Sequence, residues 1–126
     1  MVTNTIVTDA AVSATLAQVG NVISVECFDT FALYLNYTKG NEDGLKIEVY
    51  GLRTVSGDEH ALGKYVNANG VRTEQPSKEF QFTGSGKKIP MVFDVRGVNY
   101  ISIYQQRTGA VAPTGTFTLS YLKTKK

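Results

Sequence analysis

Phe31-Ala32-Leu33-Tyr34-Leu35-Asn36-Tyr37 decides the fold class. Successive side chains of a strand point to opposite faces, so Phe31, Leu33, Leu35 and Tyr37 share one side and Ala32, Tyr34 and Asn36 the other. Leu45-Lys46-Ile47-Glu48-Val49-Tyr50 repeats the period, with Leu45, Ile47 and Val49 inward and Lys46 and Glu48 in water. Between them, Lys39-Gly40-Asn41-Glu42-Asp43-Gly44 is rich in turn residues and reads as a solvated hairpin loop. That reading predicts two strands paired antiparallel.

Working outward, Glu79-Phe80-Gln81-Phe82 leads into the turn Gly84-Ser85-Gly86. The run 88–95 follows, and its Pro90 marks a strand start or an edge, since proline brings no N–H to a ladder. Tyr100-Ile101-Ser102-Ile103-Tyr104 and the run 116–122 flank a breaker cluster at 108–115. With 23–28 and a weaker run at 64–66, about eight strands arise at the spacing of a sandwich. The expectation is an all-β protein, an antiparallel β-sandwich of jelly-roll type over residues 21–126. Residues 1–20 read as an N-terminal arm or an added edge strand, because β-branched Val12 and Thr15 weaken the helix signal near Ala10. A length of 126 residues corresponds to one domain.

Composition narrows function mostly by exclusion. One cysteine, Cys27, rules out an internal disulfide; at the end of a strand it reads as a small hydrophobe. His60 has no second His or Cys to share a metal, and Glu59 beside it points to the opposite face of a strand. Asn41-Glu42-Asp43-Gly44 resembles part of a calcium loop but lacks the ligand spacing and the flanking helices. Gly84-Ser85-Gly86-Lys87-Lys88 lacks the spacing of a P-loop. No catalytic residue, cofactor or metal ligand is expected, and the chain reads as a non-enzyme. The N-terminus has no basic residue before Lys39, unlike a secretory signal, and no apolar run is long enough for a membrane helix.

Aromatic residues divide by face. Phe31, Phe80, Phe82, Phe93 and Phe117 read as core, whereas Tyr34, Tyr50, Tyr65, Tyr104 and Tyr121 read as partly exposed. The net charge of +2 conceals a division: residues 1–60 hold three basic and eight acidic groups, −5, and residues 61–126 hold ten and three, +7. If the fold keeps these charges apart, copies of the chain attract one another. The lysine-rich C-terminus is too short a basic tract for specific nucleic-acid binding.

Val25-Glu26-Cys27-Phe28-Asp29-Thr30-Phe31, continuing through Tyr37-Thr38-Lys39-Gly40 to Leu45-Lys46-Ile47-Glu48-Val49-Tyr50, resembles small β-sandwich structural proteins of tailed bacteriophages. Lys88-Ile89-Pro90-Met91-Val92-Phe93-Asp94-Val95 and Pro113-Thr114-Gly115-Thr116-Phe117-Thr118-Leu119 fit the same group. The chain departs from it at Gly57-Asp58-Glu59-His60, where members often carry a Trp that this sequence lacks. The resemblance implies a virion component, made in the host bacterial cytoplasm: a capsid decoration or auxiliary head protein docking on the major capsid protein. A homo-oligomer is expected, a trimer being one candidate. Val2, Ile6, Val7 and Val12 are the expected docking residues of the arm, with Lys39, Asn41, Gly109 and Pro113 as loop contacts. The rival readings are a glycan-binding adhesin-like module, drawing on the tyrosines, and a neck or tail connector subunit.

Overall fold

The computed structural model describes residues 3–68, 71–76 and 79–125, with 63–68 and 71–76 described by their backbone alone. The described residues form thirteen strands: β1 (Asn4–Ala11), β2 (Ala17–Gln18), β3 (Ile23–Ser24), β4 (Thr30–Thr38), β5 (Gly44–Leu52), β6 (His60–Ala61) and β7 (Gly63–Ala68). They continue with β8 (Val71–Pro76), β9 (Glu79–Phe82), β10 (Gly86–Lys87), β11 (Met91–Asp94), β12 (Tyr100–Thr108) and β13 (Thr116–Thr124). The first sheet runs β1-β13-β4-β11-β7-β8, with β10 beside β4. The second runs β2-β12-β5-β6, with β3 beside β12 and β9 beside β5. Every pairing is antiparallel.

Short strands that lie end to end along one neighbour occupy a single position: β2 with β3, β6 with β9, β10 with β11. With the β7–β8 hairpin set apart, eight positions remain, ordered 1-8-3-6 in one sheet and 2-7-4-5 in the other. That is the jelly-roll order of an antiparallel sandwich. The hairpin β7–β8 is an insertion between the two halves of position five, and it widens the first sheet beyond β11.

The two inner faces form the core. Phe31, Leu33, Leu35 and Tyr37 of β4 meet Leu45, Ile47 and Val49 of β5 and Ile101 and Ile103 of β12, all buried. Phe93 joins Phe80 edge-on, with ring centroids 5.7 Å apart, and this contact stitches the first sheet to the second. Each such side chain, fully buried, contributes roughly 1.5–3 kcal/mol. Pro90 stands immediately before β11, the place its missing N–H allows.

Several expectations from sequence are corrected. β4 and β5 do not pair with each other: they lie in opposite sheets, and residues 39–43 cross between them. Alternation fixes which side of a strand is apolar but leaves its neighbour open, and each of these strands completes its ladder with a later one, β13 or β12. Residues 4–11 form a ladder with β13, with irregular register between Thr5 and Val7 and between Val7 and Ala10. Such bulges blunt a strand that has one side unpaired. Cys27 is exposed at φ 66° in a turn closed by the Phe28 N–H to the Val25 carbonyl, because the run 23–28 is a strand only over Ile23–Ser24. Glu48, expected in water, is only 5% exposed.

Candidate interaction surfaces

Chain reversals at 12–16, 39–43, 83–85 and 109–115 gather at one end of the sandwich, as the registers of β1, β4, β10 and β12 require. Glu42 organises this end. Far from being a solvated tip, it has no exposed surface. Its Oε2 accepts from the Tyr37 hydroxyl at 2.5 Å and the Gly40 N–H at 2.8 Å. Its Oε1 accepts from the Thr114 and Gly115 N–H groups, each at 2.9 Å. Burial by itself drives a carboxyl pKa upward; the Tyr37 hydroxyl and the N–H groups of Gly40, Glu42 itself and Gly115 outweigh it and hold Glu42 down at about 2. The same contact, with burial as the larger cause, pushes the Tyr37 phenol far above its usual range.

The effect is a clamp between loops 39–43 and 109–115, and two further bonds extend it. Asn41 N–H donates to Thr114 Oγ1 at 2.8 Å, and Lys39 N–H donates to Ser85 Oγ at 2.8 Å, tying in the turn at 83–85. Gly115 is required here, because a Cβ at that position would collide with Glu42 and lie 2.7 Å from the Thr38 carbonyl. Both Glu42 oxygens face hydrogen-bond donors, so this carboxylate is closed to a cation. Among the described residues no three His, Cys, Asp or Glu side chains are placed to hold a metal, and none of the described segments is a helix long and apolar enough to span a membrane.

The expected contact residues separate into two groups. Lys39, Asn41, Gly109 and Pro113 come together at the clamped end, where Leu16 and Val111 are also exposed. The arm residues do not join them. Ile6 and Val7 pack on the chain's own core, Val12 is 5% exposed within it, and Val2 lies outside the described residues. A side chain buried in its own subunit is not available to dock, so Val12 is a core residue. The sequence carried one signal of the clamp that the reading missed: Tyr37 lies on the inward face, and a buried phenol needs a partner.

A second surface is the outer face of the second sheet. Tyr100, Ser102 and Tyr104 alternate outward along β12, and Glu48 and Tyr50 stand opposite them on β5 in the register Glu48–Tyr104 and Tyr50–Ser102. Glu59 accepts from Tyr104 OH at 2.7 Å and from Ser102 Oγ at 2.6 Å. Tyr50 OH donates to Glu48, whose carboxylate also meets Lys46 Nζ at 3.4 Å. The Tyr50 and Tyr104 rings meet edge-on, 5.7 Å between centroids. The bond to Glu48, then burial, pushes the Tyr50 phenol up to about 12. Tyr104 is raised chiefly by Glu59 and Tyr100 chiefly by Glu26. Tyr34 and Tyr121 are half-buried, and the Tyr65 side chain lies outside the described residues. His60, in β6 opposite Gly51, is exposed.

This architecture places the chain among jelly-roll sandwiches. Compared with known proteins, it matches no family model and no curated sequence. Among solved structures it is similar to the SPBc2 prophage-derived protein YomS, with a TM-score of 0.60 and 14% identity over 97% of this chain and 90% of that one. At that identity the likeness is one of fold, and it extends along nearly the whole of both chains.

Proposed function

We propose that this chain is a non-enzymatic structural protein of a tailed-bacteriophage particle, a capsid decoration or auxiliary head protein that docks on the lattice of the major capsid protein. The observation that carries the reading is a fold similar to that of the SPBc2 prophage-derived protein YomS over 97% of this chain and 90% of that one. The resemblance of residues 25–50 and 88–119 to phage sandwich proteins supports it from the sequence side. Docking is assigned to the clamped end. Its loops are fixed by Glu42 before any partner arrives, so little conformational entropy remains to be lost on binding.

The test is the composition of purified particles from the phage or lysogen that encodes the chain. Quantitative mass spectrometry should find it in fixed proportion to the major capsid protein. Absence from particles would overturn the reading, and about six or twelve copies per particle would favour the neck or tail connector instead. Lys39→Glu combined with Pro113→Ala should abolish binding to isolated shells without lowering the melting temperature. The glycan-binding alternative draws on Tyr34, Tyr50, Tyr65, Tyr104 and Tyr121, of which Tyr50 and Tyr104 have phenols already committed to carboxylates.

A further inference from the structure

Two surfaces of opposite charge flank the core, one of them bordering the Glu42 clamp. At one corner of the first sheet three lysines gather around Ser85. Lys39 donates its backbone N–H to Ser85 Oγ, the Lys88 ammonium lies 3.5 Å from the Ser85 carbonyl oxygen, and Lys87 pairs in register with Asn36 of β4. Among the described residues none of the three ammonium groups has a carboxylate partner. Sequence reading rejects Gly84-Ser85-Gly86-Lys87-Lys88 as a phosphate loop, and nothing in the fold restores it. What the fold adds is Lys39, delivered from the next loop.

The outer face of the second sheet has the opposite character. Along β12 and β5 it presents three tyrosine–carboxylate pairs: Tyr100 with Glu26, Tyr104 with Glu59 and Tyr50 with Glu48. Lys46 offsets Glu48, while Glu26 and Glu59 have no cation partner among the described residues. Each carboxylate offers about four acceptor sites, and Glu59 uses one on each oxygen for Ser102 and Tyr104. The rings are already held by these bonds, so a partner that lands on them immobilises little more. The sandwich core stands between the two surfaces, so one copy cannot neutralise itself.

We propose that the lysine corner of one copy, Lys39, Lys87 and Lys88, docks on the tyrosine–carboxylate row of the next through its exposed carboxylates, Glu26 and Glu59. The two patches differ, so the contact is heterologous and propagates head to tail into rings or rows. Lysine stems lie along the tyrosine rings while the ammonium groups reach the carboxylates. Lys87 and Lys88 come from the +7 half of the sequence and Glu26 and Glu59 from the −5 half, while Lys39 joins the lysine corner from the acidic half.

Sedimentation velocity on the full chain tests the contact. Self-association should be present at about 0.02 M salt and weaken at least tenfold by about 0.5 M, where screening shortens the reach of the charges to a few ångströms. The triple variant Lys39→Glu, Lys87→Glu, Lys88→Glu should melt like the parent yet remain monomeric. Its acidic row is intact, so it should also cap the parent and shorten its assemblies when the two are mixed. Glu26→Lys, at an exposed position on the opposite surface, should weaken association independently. A parent chain that is monomeric at low salt, or a triple variant that assembles as the parent does or fails to cap it, overturns the proposal. A chain that binds shells but stays monomeric overturns only this contact; one that associates but is missing from particles overturns only the virion assignment.

Discussion

Replacing Glu42 by glutamine changes one oxygen into an NH2 group and leaves the size of the side chain unchanged. In the parent, each carboxylate oxygen receives two donors: Tyr37 OH and Gly40 N–H on one, Thr114 and Gly115 N–H on the other. Glutamine keeps one accepting oxygen, so two buried donors lose their partner and face an amide that is itself a donor. At roughly 1–3 kcal/mol for each orphaned group, the cost is about 2–6 kcal/mol. The same bonds also set the acid dependence. A folded pKa of about 2 against 4.5 corresponds to about 3 kcal/mol of differential stabilisation of the charged form. For a domain of this size that is a fall of about 10–15 °C in melting temperature.

The pH dependence has a definite sign. Because the folded pKa is depressed, the contribution is complete above about pH 4.5 and disappears as pH falls through about 2. Urea unfolding followed by circular dichroism, at pH 7 and at steps from 5 to 2, measures both effects. The gap between parent and Glu42→Gln should be about 3 kcal/mol at pH 7 and should close across that acid window. A gap below about 1 kcal/mol at neutral pH, or one that persists unchanged to pH 2, refutes the clamp.

Gly115→Ala should destabilise the fold by at least about 2 kcal/mol in the same assay, because its Cβ would push into Glu42 and the Thr38 carbonyl. Deleting residues 1–12 should abolish the cooperative melt, since it uncovers the β13 ladder and removes buried Val12; a truncated chain that melts as before would mean the segment is a free arm. In an alkaline titration followed at 295 nm, Tyr37, Tyr50, Tyr100 and Tyr104 should ionise above the ordinary value of 10. The raised Tyr50 pKa adds stability that is complete below pH 10 and lost as pH rises through about 12, a loss that Glu48→Gln should remove.

Much of the fold was legible because alternation is a local property. The inward sets of β4 and β5 read directly from residues 31–37 and 45–50, and Phe31, Phe80, Phe93 and Phe117 lie in the core, as their faces imply. Pro90 marked the start of β11 for a reason contained in one residue. Strand partnership is not local. Whether β4 joins β5 or β13 depends on which distant ladder closes best, so a turn-rich loop between two strands looked like a hairpin and is a crossover between sheets. The insertion of β7–β8 was equally invisible, since a weak apolar run carries no address.

The sequence by itself determined an all-β chain with two-sided strands, without a disulfide or a Cys/His metal set, and with its charges divided between its halves. Those properties follow from residue type and period alone. Only the tertiary structure decided the fate of the polar residues. Glu42, drawn from a loop of Gly, Asn and Asp, is buried because residues 113–115 present two N–H groups to it from more than seventy positions away. Val12, apolar and near a terminus, belongs to the core because β13 offers its segment a ladder. A charged side chain stays in water unless donors converge on it, and convergence is a property of three dimensions.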